Sequence, residues 1–163
     1  MANEIMKAPT GRDTLVEIRL HPETYPRLCR LQTEFAVEGL KKIYCMAVMY
    51  RGQDIDAAKA DFTARTLLSE LLEEDKFGAK YLTLEEIRRA VKNAVLNDAE
   101  VYGINVASLY KIIMSYVKGE GHAANDEACA IKKAQDRAAA ENKAADTMIA
   151  IYSSRMSKSI KTR

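Results

Sequence analysis

The sequence predicts an all-α protein: a compact bundle of about four helices followed by a long alanine-rich C-terminal helix. Three observations carry that prediction. Proline occurs only at Pro9, Pro22 and Pro26, so nothing stops long helices from residue 27 onward. Apolar residues recur at spacings of three and four through most of the chain, the period of a half-buried helix. Residues 123–152 hold little besides alanine and charged side chains, and alanine is the strongest helix former. A content of 48% hydrophobic and 29% charged residues fits an ordered globular chain. At 163 residues it can bury a core without a disulfide or a metal.

The elements follow in order. Residues 1–26 are expected to form an N-terminal arm. Within it "TLVEIRL" (14–20) alternates Val16, Ile18 and Leu20 with Glu17 and Arg19, which predicts a short strand or extended segment. Pro22 and Pro26 then disfavour helix at the residues before them. A helix is predicted over 27–50, with Leu28, Leu31, Phe35, Leu40, Tyr44, Ala47 and Val48 on its inner track, and Gly39 marks a kink or a close approach. Asp54 caps a helix over 55–74 whose apolar side is Ile55, Ala58, Phe62, Leu68, Leu71 and Leu72. Gly78 serves as a turn residue.

Thr83-Leu-Glu-Glu86 is a capping box, with the threonine hydroxyl and the Glu86 carboxylate each bonding a free amide of the other residue. It opens a helix that faces Ile87, Val91, Ala94 and Val95 inward and Arg88, Arg89 and Lys92 outward. Asn105 caps "VASLYKIIMSYVK", with Leu109, Ile112, Ile113 and Tyr116 on its core stripe. Tyr110 and Met114 lie off that stripe, so this helix is apolar around most of its circumference and is either central or covered by a partner. The core domain thus spans 27–118. "GEGH" (119–122) is a hinge, and 119–163 forms the long charged helix with a basic tail. Its sparse apolar positions run Ala124, Ala128, Ile131, Gln135, Ala138, Asn142, Ala145, Ile149, Tyr152, Met156, the alternation of four and three that makes a heptad seam.

Composition narrows function mainly by exclusion. With 25 basic and 23 acidic residues, the net charge of +2 is not that of a strong nucleic-acid binder. Cys29, Cys45 and Cys129 are odd in number and widely spaced, and are read as small buried residues in a reducing cytosol. The first residues lack the apolar region of a secretory signal, and no run of about 18 apolar residues suggests a membrane span. "FGAK" lacks the glycine-rich approach and the Ser/Thr of a phosphate-binding loop. His21 and His122 stand apart from any ligand spacing. No catalytic, cofactor-binding or metal site is therefore expected, and the chain is read as a non-enzyme.

For DNA reading, the connection over about 97–105 exceeds the roughly 3–4 residues of a helix-turn-helix. The helix after it carries only Lys111 and Lys118 as charge. The tail "SSRMSKSIKTR" suits phosphate better: its four charges, Arg155, Lys158, Lys161 and Arg163, have no acid among them.

The stretch from "LLSELLEEDKFGAKYLTLEEI" through "YGINVASLYKIIMSYV" resembles small, largely uncharacterised helical proteins of Bacteroidetes-type phages and mobile elements, over about residues 55–130. The matching positions are Leu82, Thr83, Leu84, Ile87, Tyr102, Gly103, Asn105, Leu109 and Tyr116. Some of those proteins resemble helicase loaders, and the resemblance implies an accessory role in DNA replication in the bacterial cytoplasm. Where this chain has "LNDAE", the related sequences carry a glycine- and lysine-rich segment, so a basic surface there is not implied.

The expected function is a non-enzymatic accessory protein that binds another protein through Tyr110 and Met114 and the long C-terminal helix. The tail would add weak, salt-dependent DNA contact. The alternatives are a self-assembling virion-type protein, joined through 14–20 and the heptads, and a small DNA-binding module using 82–117.

Overall fold

The computed structural model describes residues 13–73, 78–97 and 103–160, with side chains as far as residue 153. Among them the α-helices are α1 (Leu15–Leu20), α2 (Thr33–Tyr50), α3 (Ala57–Glu73), α4 (Leu84–Asn97), α5 (Val106–Lys118) and α6 (Glu120–Ile160). Two 3₁₀ turns, Leu28–Arg30 and Ala79–Tyr81, precede α2 and α4. The protein is all-α, and the described residues contain no strand. The chain divides into two compact units, Met1–Asn125 and Asp126–Arg163.

In the first unit α2 packs on α3 and α4, and α5 packs on the same two helices. The four helices therefore close a ring, α2–α3–α5–α4, around one core. Leu40, Leu67, Leu71, Ile87, Val91, Leu109 and Ile113 are all within 2% of complete burial. Removing such branched side chains from water is the main driving force for the fold, about 1.5–3 kcal/mol for each.

Residues 14–20 are a helix and not the predicted strand. Thr14 and Glu17 form a capping box: the Thr14 amide donates to Glu17 Oε2 at 2.6 Å, and the Glu17 amide donates to Thr14 Oγ1 at 3.2 Å. That local bonding satisfies the amides of a first turn, and the turn puts Leu15 and Ile18, three apart, on one side. Ile18 is fully buried and Leu15 packs against the core. The period-2 pattern misled because in six residues it is compatible with a helical turn as well.

The described residues before position 27 are bonded to the rest of the first unit. Tyr25 is buried and donates to Asp13 Oδ2 at 2.6 Å. The backbone of Arg27 bridges that of Thr83, and the Leu28 amide donates to the Leu82 carbonyl at 2.7 Å. The first twelve residues of the predicted arm lie outside the described residues.

A 3₁₀ turn interrupts the predicted 27–50 helix, so α2 begins at Thr33. Its buried face is Ala36, Val37, Leu40, Ile43, Tyr44, Ala47 and Val48, while Phe35 is 63% exposed. The α3 helix starts later than predicted: Asp56, not Asp54, accepts the amides of Ala58 (2.9 Å) and Lys59 (3.2 Å). Ala60, Thr63, Ala64, Leu67, Leu68 and Leu71 face in, and Phe62 is 67% exposed. The predicted stripe joined residues of two faces, because alanines line the buried side where larger residues were expected. Ala36 and Ala47 on α2, and Ala60 and Ala64 on α3, are all buried.

Gly39 marks a close approach. A Cβ there would overlap Leu84 Cδ1 of α4. Gly78, at φ +74°, adopts the left-handed conformation that glycine tolerates best and turns the chain into Ala79–Tyr81.

The capping box of α4 forms as predicted but has a second role. Glu86 is completely buried. Its carboxylate accepts the Thr83 amide (2.9 Å) and hydroxyl (3.2 Å) on Oε2, and Arg19 Nε (2.6 Å) and the Tyr116 hydroxyl (3.1 Å) on Oε1. Arg19 Nη1 also donates to Asn125 Oδ1 at 3.2 Å. One carboxylate thereby ties α1, α4, α5 and the first turns of α6. The predicted hinge contracts to Gly119, which receives the end of α5, and α6 starts at Glu120.

Two outcomes are expected. Arg19→Met leaves Glu86 buried without its cation and should cost about 3–5 kcal/mol in urea unfolding, against about 1–3 for Tyr116→Phe. If both cost under about 1 kcal/mol, the carboxylate is not the tie described. At Gly39, alanine should gain the helix-propensity term, about 1 kcal/mol, in a Leu84→Ala background. It should gain clearly less with Leu84 present, and equal effects in the two backgrounds would refute the close contact.

Candidate interaction surface

Glu120–Ile160 is 41 residues of helix, and its C-terminal part makes up the second unit. Alanine and residues with straight side chains dominate it, so local propensity favours helix throughout. Arg137 and Glu141, one turn apart, pair at 3.2 Å on the exposed surface, a small addition to helix stability. From Lys132 to Ser153 every residue is exposed.

Along the predicted heptad seam, Ala124 and Ala128 are buried and Ile131 is half-buried. The seam then runs exposed through Gln135, Ala138, Asn142 and Ala145 to Ile149 and Tyr152. There it meets further apolar residues: Met148 is 56% exposed, Ile149 63%, Ile151 45% and Tyr152 63%. At about 100° per residue these four side chains cover an arc of about 160°. A surface helix in water does not ordinarily present half its circumference as large apolar side chains within five residues.

The residues singled out from the sequence fall differently. Met114 is 7% exposed and belongs to the core, and Tyr110 is half-buried against that core. This corrects the expectation that both form an exposed contact surface on α5. Met114 follows Ile113 by one position, and α5 is enclosed by α3 and α4 widely enough to cover both. Arg155 and Lys158 lie on the last turns of α6, whose backbone continues helical to Ile160 where a flexible tail was expected. Their side chains, and Lys161 and Arg163 altogether, are outside the described residues.

Cys29 and Cys129 are exposed and Cys45 is half-buried, all three as free thiols, so the expectation of buried cysteines holds for none of them fully. Sequence reasoning missed the outward placement of Phe35 and Phe62. It also missed the Arg19–Glu86 pairing, which joins residues 67 positions apart and leaves no local signal.

The titratable groups with shifted protonation serve structural pairs. Burial first, then the hydrogen bond to Asp13, pushes the Tyr25 hydroxyl up to about 12. Burial, followed by the charge of Glu86, holds the Tyr116 hydroxyl well above the usual tyrosine range. For Glu85 burial acts upward, but hydrogen bonds from Arg88 (2.7 and 2.8 Å) and Arg89 (2.8 Å) outweigh it and hold the carboxyl below its ordinary value. Among the described residues no three His, Cys, Asp or Glu side chains gather in a way that could hold a metal ion. No helix of the described residues is long and apolar enough to cross a membrane.

Compared with known protein families, with curated proteins and with solved structures, the chain finds no match.

The raised tyrosine implies a specific alkaline response. A phenol whose pKa is raised in the fold contributes stability that is complete below its unfolded value, near 10, and is lost as pH rises through the folded value of about 12. The urea midpoint of the wild type should therefore fall more steeply between these two values than that of Tyr25→Phe. Parallel curves would show that Tyr25 contributes nothing to alkaline unfolding.

Proposed function

We propose that this chain is a non-enzymatic binding protein that contacts another protein through the exposed face of α6. The observation that carries the reading is the cluster Met148, Ile149, Ile151 and Tyr152 on a helix exposed from Lys132 to Ser153. Such a face gains free energy by being covered, about 25 cal/mol for each Å² of apolar surface removed from water. A partner presenting an apolar helix or groove would cover it, with residues at three- and four-spacing as anchors.

The resemblance over about residues 55–130 to helical proteins of phages and mobile elements supports an accessory role, such as a loader-like adaptor in DNA replication. The cationic C-terminal stretch, with Arg155, Lys158, Lys161 and Arg163, would add a weak, salt-dependent contact with DNA. In this reading the first unit holds the start of α6, and α6 makes the contact.

A second reading is association with a second copy. The heptad spacing favours it, since Ile149 and Tyr152 continue the seam of Ala138, Asn142 and Ala145. Against it, alanine and amide positions give such a seam little apolar surface.

Light scattering of the full chain over a concentration series separates the two, combined with co-purification of wild type and an Ile149→Asp/Tyr152→Asp variant from cells carrying the element. A monomer that captures a discrete protein, lost in the variant, is the expected result. A concentration-dependent dimer abolished by the same variant moves the assignment to self-association. A monomer whose captured proteins are the same for wild type and variant overturns both readings of α6.

A further inference from the structure

A cleft of about 160 Å³ opens in the first unit, between the end of α1, the Arg27 segment, the 3₁₀ turn at Ala79–Tyr81 and the first turns of α6. Its polar lining is Arg19, Arg27, Tyr81, His122 and Asn125, with no aspartate or glutamate among the described residues. Glu86 reaches Arg19 Nε, and Nη1 is engaged by Asn125. Among the described residues no acceptor is bonded to Nη2. The Arg19 side chain is 8% exposed, so this guanidinium is held in place by two fixed partners and cannot swing into bulk water.

Arg27 differs from it. It is half-buried, its guanidinium carbon lies 5.7 Å from the centroid of the Tyr81 ring, and no carboxylate among the described residues pairs with it. Lys80 Nζ approaches the same ring at 5.6 Å. Glu86 balances the charge of Arg19, and among the described residues no carboxylate balances that of Arg27. Gly121 and His122, in the first turn of α6, complete the same wall.

We propose that this cleft binds a phosphate group, either free phosphate or the phosphate of a small monoester. Arg27 is the principal ligand and Arg19 an oriented second donor. Guanidinium donors match the oxygens of a tetrahedral oxyanion better than a point charge does. The volume is about that of five waters, which admits a phosphate with part of its hydration shell. The cleft and the proposed contact face of α6 share no residue, so either assignment can fail without the other.

The test is thermal unfolding of the full chain in inorganic phosphate, in glycerol 3-phosphate, in a short single-stranded oligonucleotide, and in chloride at matched ionic strength. Wild type, Arg27→Gln and Arg27→Lys are compared. Inorganic phosphate or the monoester should raise the wild-type Tm above chloride, and the stronger of the two identifies the source. Titration should show at least tenfold weaker binding for Arg27→Gln and a smaller loss for Arg27→Lys. No shift beyond chloride in the wild type, or a shift that Arg27→Gln retains, overturns the site. A shift given by the oligonucleotide alone overturns the small-anion assignment in favour of a polymer phosphodiester. Arg27 has no ion-pair partner among the described residues, and a circular dichroism spectrum shows directly whether the glutamine variant is folded.

Discussion

The Arg19–Glu86 pair sets where the rest of the chain must go. An unpaired carboxylate at complete burial would cost several kcal/mol, so Glu86 is tolerable only with its oxygens saturated. Four donors accomplish that, from Arg19, Tyr116 and twice from Thr83. Two come from the cap of its own helix, and the other two must be delivered from residues 67 positions earlier and 30 later. Delivery of Arg19 requires residues 14–20 to pack as a turn of helix beside α4. Delivery of Tyr116 fixes the rotation of α5, and Asn125, bonded to the same guanidinium, fixes the start of α6. A pair of this kind adds little net stability over an apolar replacement. What it supplies is a penalty on every arrangement in which one partner is missing.

Within that frame the ring of four helices is a matter of size. The glycine under Leu84 lets α2 and α4 approach closely, while leucines and isoleucines from all four helices, Leu40, Leu67, Leu71, Ile87, Leu109 and Ile113, fill the middle. Small residues at the contacts are also why Phe35 and Phe62 end outside.

The legible parts of the sequence were those whose cause is local. The Thr83–Glu86 box, the Asn105 cap of α5, the absence of proline after Pro26 and the alanine-rich C-terminal helix all act within a few residues, and each appears as read. Residues 14–20 failed because alternation over so short a span fits two periods, and the deciding bond to Glu86 is remote. Met114 failed for another reason. Periodicity gives the direction of a side chain on its helix but not how far neighbouring helices wrap around it, and α5 is wrapped on more than one side. The cleft beside Arg27 had no local sign at all, since its lining comes from five separate stretches of the chain.

The proposed function rests on the contrast between the two units. In the first, large apolar side chains are mostly covered, and the polar group at greatest depth has every acceptor position used. In the second, helix forms from propensity alone, and apolar side chains gather at Met148–Tyr152 without any cover among the described residues. Helix stability does not require them, because alanine or lysine at those positions would favour helix more than isoleucine or tyrosine does. Solubility argues against them as well. Folding therefore gives no reason for four large apolar residues there, whereas binding does, and this imbalance between local need and observed composition makes α6 the element on which a partner is to be sought.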